Sequence, residues 1–107
     1  MTRLALHSRL IPGTEEAYEL AHARVWPELI TVMREVGIRD WSIWRSGRDL
    51  FHLVECDDFD AAVAKLADDP VDQRWQVHMG QFVEGFAKNA EGGMALRHLW
   101  TMSEQIV

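Results

Sequence analysis

The chain has 107 residues, of which 17 are acidic and 11 basic, giving a net charge of −6 at pH 7. This length suits one domain with a single core, so we expect residues 1–107 to form one domain. The negative charge argues against binding to nucleic acid or anionic membranes, and no apolar run is long enough to span a bilayer. The amino terminus lacks the apolar core of a secretory signal, and the one cysteine, Cys56, has no internal partner, so we expect a cytoplasmic protein.

Strand and helix patterns follow one another in the first third of the chain. Residues 3–10 alternate between two faces, as in a half-buried strand. Thr14 is a good N-cap residue, and Gly37 is a typical helix stop. We therefore predict one helix from residue 15 to about Val36.

A hairpin and a capped helix are predicted next. Residues 40–45 and 50–55 have strand-like sequences, and a Ser-Gly-Arg-Asp turn separates them. Asp57 or Asp58 then caps a short helix that carries Phe59 on its apolar face.

A last helix and a last strand complete the pattern. Asp69 and Pro70 form a helix start, and Gly85 is expected to close the helix. Residues 95–102 read as the final strand. The apolar stripe of the helix consists of Val71, Trp75, Met79, Phe82 and Val83.

The order strand, helix, strand, strand, helix, strand predicts an α+β fold of the ferredoxin-like βαββαβ type. Helices cover one face of such a sheet, and the other face needs a cover. A second copy of the chain is the simplest cover, so we expect a homodimer that forms a dimeric α/β barrel.

The run Tyr18-x-x-x-His22-x-x-x-Trp26-Pro27-Glu28 is the most informative motif. Spacing by four residues places the phenol, imidazole and indole on one helix face. The same spacing is typical of core side chains, but these three groups can also bind a small polyol and transfer its proton. Pro27 removes a helix hydrogen bond, so we expect a kink just beyond His22.

Four blocks of the sequence, in order and covering nearly the whole chain, resemble the L-rhamnose mutarotase family. The resemblance implies a dimeric α+β barrel without a cofactor that interconverts the α and β anomers of a six-carbon deoxy sugar. The blocks are Tyr18-x-x-x-His22-x-x-x-Trp26-Pro27-Glu28-Leu29, Gly37 to Ile43, Leu50-Phe51-x-x-Val54-Glu55, and Gln73-Arg74-Trp75.

By position, the resemblance implies that His22 is the catalytic acid and base and that Tyr18, Trp41, Trp75 and Gln76 line the sugar site. Tyr18 is the first candidate for the partner acid or base, with water as the alternative. The family commonly has tyrosine where this chain has Trp41, and a second tryptophan where it has Gln76. The substrate therefore stays open between L-rhamnose, L-fucose and another deoxyhexose.

Two other functions fit the same predicted fold. One is a cofactor-independent oxygenase or isomerase that acts on an aromatic polyketide or lactone. The other is a non-catalytic dimer module that binds sugar. His7, His52 and His98 lie on three predicted strands, but their spacing matches no metal-ligand motif, so we predict no metal site.

Overall fold

The computed structural model describes residues 1–106, in which four antiparallel strands form one sheet and four helices cover one of its faces. The spatial order is β2-β3-β1-β4. This is the ferredoxin-like arrangement, and the predicted fold class is confirmed, with each helical part of the pattern divided into two helices. The elements are β1 (Thr2–Leu10), α1 (Glu15–His22), α2 (Pro27–Glu35), β2 (Ile38–Ser46), β3 (Asp49–Cys56), α3 (Phe59–Ala67), α4 (Pro70–Met79) and β4 (Val83–Phe86), followed by a 3-10 turn at Met102–Glu104.

Strand register explains which side chains face the helices. Leu6 of β1 lies opposite His52 of β3, and Ser8 lies opposite Leu50. Because side chains alternate along a strand, these residues share the helix-facing side of the sheet. All four are buried. The predicted strands at 3–10, 40–45 and 50–55 and the predicted hairpin are confirmed.

The predicted single helix over residues 15–36 is wrong, because α1 ends at His22 and α2 begins at Pro27. A residue that precedes proline avoids the helical conformation, and Trp26 is extended, with φ −55° and ψ 125°. Pro27 occupies the first turn of α2, where its missing N–H costs no hydrogen bond. The chain therefore breaks where we expected a kink, and Trp26 leaves the helical column of Tyr18 and His22.

The predicted end of the last helix is also wrong. Helix α4 ends at Met79, and the N–H of Gly80 donates to the carbonyl of Gln76 as the helix closes. Val83, which helical spacing assigned to the helix, begins β4 instead. A four-residue strand with an internal glycine shows no clear alternation, so its pattern looked like a continuation of the helix.

The predicted final strand at residues 95–102 is wrong as well, because β4 already pairs with Ser8–Leu10 of β1. Only the other half of that edge remains open, and it accepts a single bridge from Ala95 to Leu6. The N–H of Leu96 donates to the carbonyl of Ala5 at 2.7 Å. The segment therefore touches the sheet at one point.

Aspartate caps fix the starts of the last two helices, as predicted. The carboxylate of Asp58, not that of Asp57, accepts from the N–H of Ala61 at 3.1 Å. The carboxylate of Asp69 accepts from the N–H of Val71 at 2.8 Å. Thr14 differs, because its hydroxyl lies 2.7 Å from the carbonyl oxygen of Ile11 and 2.9 Å from that of Phe82, both outside the helix, and makes no capping bond.

The core between sheet and helices has two halves. One half, next to α1, α2 and α4, holds the candidate site, and the other lies under α3. No helix among residues 1–106 is long and apolar enough to cross a membrane. The buried residues of the first half are Leu10, Tyr18, Leu29, Leu50, Trp75 and Met79, and those of the second are Leu6, Ile38, Val54, Cys56 and Ala62.

Candidate active site

A cavity of about 430 Å³ lies between α1 and the hairpin strands β2 and β3. Its volume falls in the range that small-molecule sites occupy. Register places Arg45 opposite Leu50 at the hairpin end of the sheet, beneath α1. The lining residues are Tyr18, Glu19, His22 and Ala23 on the helix side, and Ile43, Trp44, Arg45 and Leu50 on the strand side.

His22 has one ring nitrogen fixed by the helix that carries it. Its Nδ1 lies 3.2 Å from the carbonyl oxygen of Tyr18. A carbonyl can only accept, so Nδ1 carries the proton and Nε2 keeps its lone pair. Burial lowers the pKa of His22, the hydrogen bond to Tyr18 opposes that shift, and the charge of nearby His78 adds to it. The ring is therefore neutral near pH 7 and presents a proton acceptor.

Tyr18 lies beside this imidazole, with ring centroids 4.1 Å apart. Burial raises the pKa of Tyr18 to about 12, because the phenolate would lose its hydration. The phenol therefore stays protonated at physiological pH. It can donate a hydrogen bond into the cavity, but it is a poor base.

Trp75 of α4 forms the aromatic wall behind His22. The two rings meet edge to face with centroids 5.4 Å apart. Trp26 packs edge-on against Trp75 at 5.0 Å and stacks on His78 at 5.9 Å. Trp26 therefore joins the aromatic cluster around His22 by packing against Trp75 of α4. The helix break nevertheless removes Trp26 from the predicted helix face of Tyr18 and His22.

Trp41 belongs to a buried hydrogen-bond chain with His52 and Ser8. The indole Nε1 donates to His52 Nδ1 at 3.0 Å, so that nitrogen is unprotonated. His52 Nε2 then carries the proton and donates to the Ser8 hydroxyl at 2.9 Å. Burial lowers the pKa of His52 to about 4, and the charges of His22 and His7 add to the effect. Both nitrogens of His52 and the N–H of Trp41 are thus engaged within the protein.

The structure brings together only some of the predicted site residues. Tyr18 and His22 line the cavity, and Trp75 packs directly behind His22. Trp41 lies along the sheet with its N–H bound to His52. Gln76 donates to Asp72 on its own helix at 3.4 Å. Trp41, Trp75 and Gln76 are not among the cavity-lining residues, and their sugar contacts stay predictions.

Sequence analysis missed Glu19 and Arg45, two charged residues of the cavity wall. Glu19 precedes His22 by three residues, which places both on one helix face. Arg45 alternates with Ile43 on β2, so both point toward the helices. These spacings were visible in the sequence, but the pairing of the two elements required the fold.

The three histidines of the predicted strands do not lie close together in the structure. His52 faces the helices, whereas His7 stacks on Phe51 on the other face of the sheet. His98 bonds to the Thr101 hydroxyl at 2.7 Å. Within residues 1–106, no group of three His, Cys, Asp or Glu side chains is arranged to hold a metal ion.

Fold and cavity together define a class: a small ferredoxin-like α+β protein with a neutral imidazole and a phenol in a cavity large enough for a monosaccharide. The family model for L-rhamnose mutarotase matches residues 3–106. A protein named L-rhamnose mutarotase from Sinorhizobium fredii is 32% identical over 105 residues, covering 96% of this chain and all of the relative. The chain belongs to the L-rhamnose mutarotase family.

Two solved structures share the fold. An L-rhamnose mutarotase from Formosa agariphila has a TM-score of 0.76 at 22% identity, over 95% of this chain and 99% of the other. Tetracenomycin F2 cyclase from Streptomyces glaucescens has a TM-score of 0.63 at 21% identity, over 94% and 98%. At such identities the likeness concerns the fold alone, and it includes a protein with different chemistry.

Proposed function

We propose that this protein is a mutarotase that interconverts the α and β anomers of L-rhamnose or a related deoxyhexose. The observation that carries the proposal is the neutral His22, whose Nε2 is not used by the helix, on the wall of a cavity large enough for a monosaccharide. Membership of the L-rhamnose mutarotase family supports the same reaction.

Ring opening requires that the anomeric hydroxyl lose a proton and the ring oxygen gain one. In our mechanism, His22 Nε2 accepts the proton of the anomeric hydroxyl, the bond from C1 to the ring oxygen breaks, and the imidazolium returns the proton to that oxygen. Rotation about C1–C2 and the reverse transfer close the ring on the other face. A positioned imidazole accelerates such steps about 100- to 10,000-fold.

Tyr18 is the partner that we propose for His22. Its phenol stays protonated, so it stabilises the ring oxygen by hydrogen bonding while negative charge develops there. Trp75 holds the imidazole in place from behind. Trp41, Trp75 and Gln76 remain predicted sugar contacts. All these steps move only the sugar's own hydroxyl proton by way of His22, so the mechanism needs no cofactor.

A homodimer is the assembly that we propose. Phe51 and Trp44 lie opposite one another on the sheet face turned away from the helices, and they are 41% and 57% exposed. The segment after β4 also exposes large apolar side chains, which a second copy would cover. They are Leu96, Leu99, Trp100, Met102 and Ile106.

We also propose that residues 1–107 act as one domain in the cytoplasm. The family match over residues 3–106 supports one functional unit. The free thiol of Cys56, fully buried in the core, suits a reducing compartment.

The direct test is NMR saturation exchange between the α and β anomeric proton signals of L-rhamnose, with L-fucose and a wider aldose panel in parallel. We expect protein-dependent exchange with at least one deoxyhexose, and the faster sugar identifies the substrate preference. No exchange with any aldose of the panel would overturn the proposal.

A further inference from the structure

Glu19 and Arg45 form an ion pair on the wall of the cavity that holds His22. One carboxylate oxygen of Glu19, Oε1, accepts a hydrogen bond from Arg45 Nε at 2.8 Å, and Arg45 Nη2 lies 2.6 Å from the same oxygen. The two side chains are 57% and 33% exposed, whereas Tyr18 is buried, so the pair lies at the open end of the cavity.

The guanidinium of Arg45 is held by more than its carboxylate partner. Its Nη1 donates to the carbonyl of Gly47 in the turn between β2 and β3, at 2.9 Å. This contact anchors the cation to the hairpin, while Glu19 approaches it from α1. The guanidinium of Arg45 therefore keeps its hydrogen bond to the hairpin when Glu19 binds another group.

Hydrogen-bonding capacity remains on both members of the pair. A guanidinium carries five N–H donors; Arg45 donates hydrogen bonds from Nε and Nη1 and contacts Glu19 with Nη2, so at least two N–H groups have no hydrogen-bond partner in residues 1–106. The second oxygen of Glu19, Oε2, accepts no hydrogen bond within that range. A sugar hydroxyl both accepts and donates, so it can bind an N–H of Arg45 and Oε2 of Glu19 together. The pair carries no net charge, which favours a neutral polyol over an anion.

Distance along the helix relates this pair to the reacting centre. Glu19 and His22 are three residues apart, and such residues have Cβ atoms about 5–6 Å apart on one face. That separation is comparable to the width of a pyranose ring. A sugar whose anomeric carbon meets His22 therefore presents its C3 or C4 hydroxyl to Glu19 and Arg45.

We infer that Glu19 and Arg45 form a specificity subsite that binds a ring hydroxyl remote from the anomeric carbon. The inference rests on the proposed mutarotase function and adds two residues that recognise the substrate. Neither residue transfers a proton in the reaction, so their contribution falls on KM and on the choice of sugar.

The test measures kcat and KM for anomer exchange of L-rhamnose by wild type, Glu19→Gln and Arg45→Gln. Because hydrogen bonds to charged groups are stronger than neutral ones, we expect each variant to raise KM about tenfold to a hundredfold. We expect kcat to change by less than about threefold. The control is Arg39→Gln, which removes an exposed ion pair of similar length, Arg39–Asp57 at 2.7 Å, outside the cavity.

A second measurement needs no variant. Wild type is compared on L-rhamnose and on its 3-deoxy and 4-deoxy analogues, and we expect one analogue to lose at least about tenfold in kcat/KM. The subsite is overturned if wild type is active, both analogues react as well as L-rhamnose and the two variants keep a wild-type KM. Absence of exchange by the wild-type protein with every aldose of the panel would instead overturn the mutarotase function and the subsite together.

Discussion

His22 shows how local backbone geometry selects the chemistry of a side chain. Four-residue spacing in the sequence predicted that Tyr18 and His22 share a helix face, and they do, with ring centroids 4.1 Å apart. The sequence could not predict which nitrogen stays available. The carbonyl of Tyr18 decides this by occupying Nδ1, which leaves Nε2 as the acceptor.

The pH profile of catalysis tests this protonation state. His22 acts as a base in its neutral form, and its pKa lies below the ordinary value of 6.5. We therefore expect kcat/KM, corrected for spontaneous anomerisation, to be constant from pH 8 down to about 6.5 and to fall only at lower pH. NMR exchange rates across this range measure it. A midpoint above 6.5 would contradict the assignment of His22.

Trp41 illustrates a role that residue type alone does not settle. The sequence places an indole where the family commonly has a phenol, and the N–H of that indole is bound to His52. His52 lies in the neighbouring strand, so only the register of β2 on β3 brings the two together.

His52 predicts a pH-dependent stability. Its pKa is about 4 in the folded protein and about 6.5 when unfolded, so the unfolded state binds more protons between these values. Its contribution is complete above pH 6.5 and is lost as the pH falls toward 4, on the order of 3 kcal/mol. Urea unfolding of wild type and His52→Gln measures this loss.

We expect the advantage of wild type over His52→Gln to be the same at pH 7 and pH 8 and to shrink by pH 4.5. The variant retains a side chain with a donor and an acceptor for Ser8 and Trp41, which makes it a suitable reference. An advantage that does not change with pH would mean that His52 is not buried in its neutral form.

At the scale of helices and strands, the aspartate caps of the last two helices were predicted correctly, whereas the Thr14 cap and the last strand were not. Asp58, Asp69 and Pro27 each begin a helix in the structure. The fourth strand was predicted at 95–102 because that segment alternates, but the edge of β1 pairs instead with Val83–Phe86. Pairing of distant segments depends on which edge is open, and that information is not local.

The cap of α4 provides a test of the element that holds Trp75 behind His22. Asp69→Ala removes the acceptor for the N–H groups of Val71 and Asp72, so we expect the free energy of unfolding to fall by about 1 kcal/mol. Chemical denaturation measures the change. The matched control is Asp68→Ala, which removes a carboxylate that caps no helix start. Equal losses in both variants would contradict the role of the cap.

At the scale of the whole molecule, the sequence predicted the fold class and the candidate catalytic base, His22, but not the full cavity wall. Tyr18 and His22 of the family motif both lie on α1, so their spacing in the sequence predicted their common helix face. Glu19 and Arg45 come from two elements that meet only after the hairpin packs under α1. The predicted contacts Trp41 and Gln76 are bonded elsewhere in the structure.

The proposed homodimer is testable by mass. Light scattering after gel filtration should give twice the chain mass of 12.3 kDa. Phe51→Glu places a charge on the exposed sheet face, so we expect it to shift the protein toward the monomer. Val77→Glu is the matched control, because Val77 is 76% exposed on α4 and far from that face in the fold. A monomeric wild type, or dissociation by both variants, would contradict this interface.

The most direct test of the central claim compares anomer exchange of the preferred deoxyhexose by wild type and His22→Asn. Asparagine retains a polar side chain but cannot shuttle a proton near pH 7, so we expect a native circular dichroism spectrum and a loss of acceleration of about 100- to 10,000-fold. His98→Asn, on an exposed residue outside the cavity, should keep the wild-type rate. Near wild-type exchange by folded His22→Asn would contradict the account.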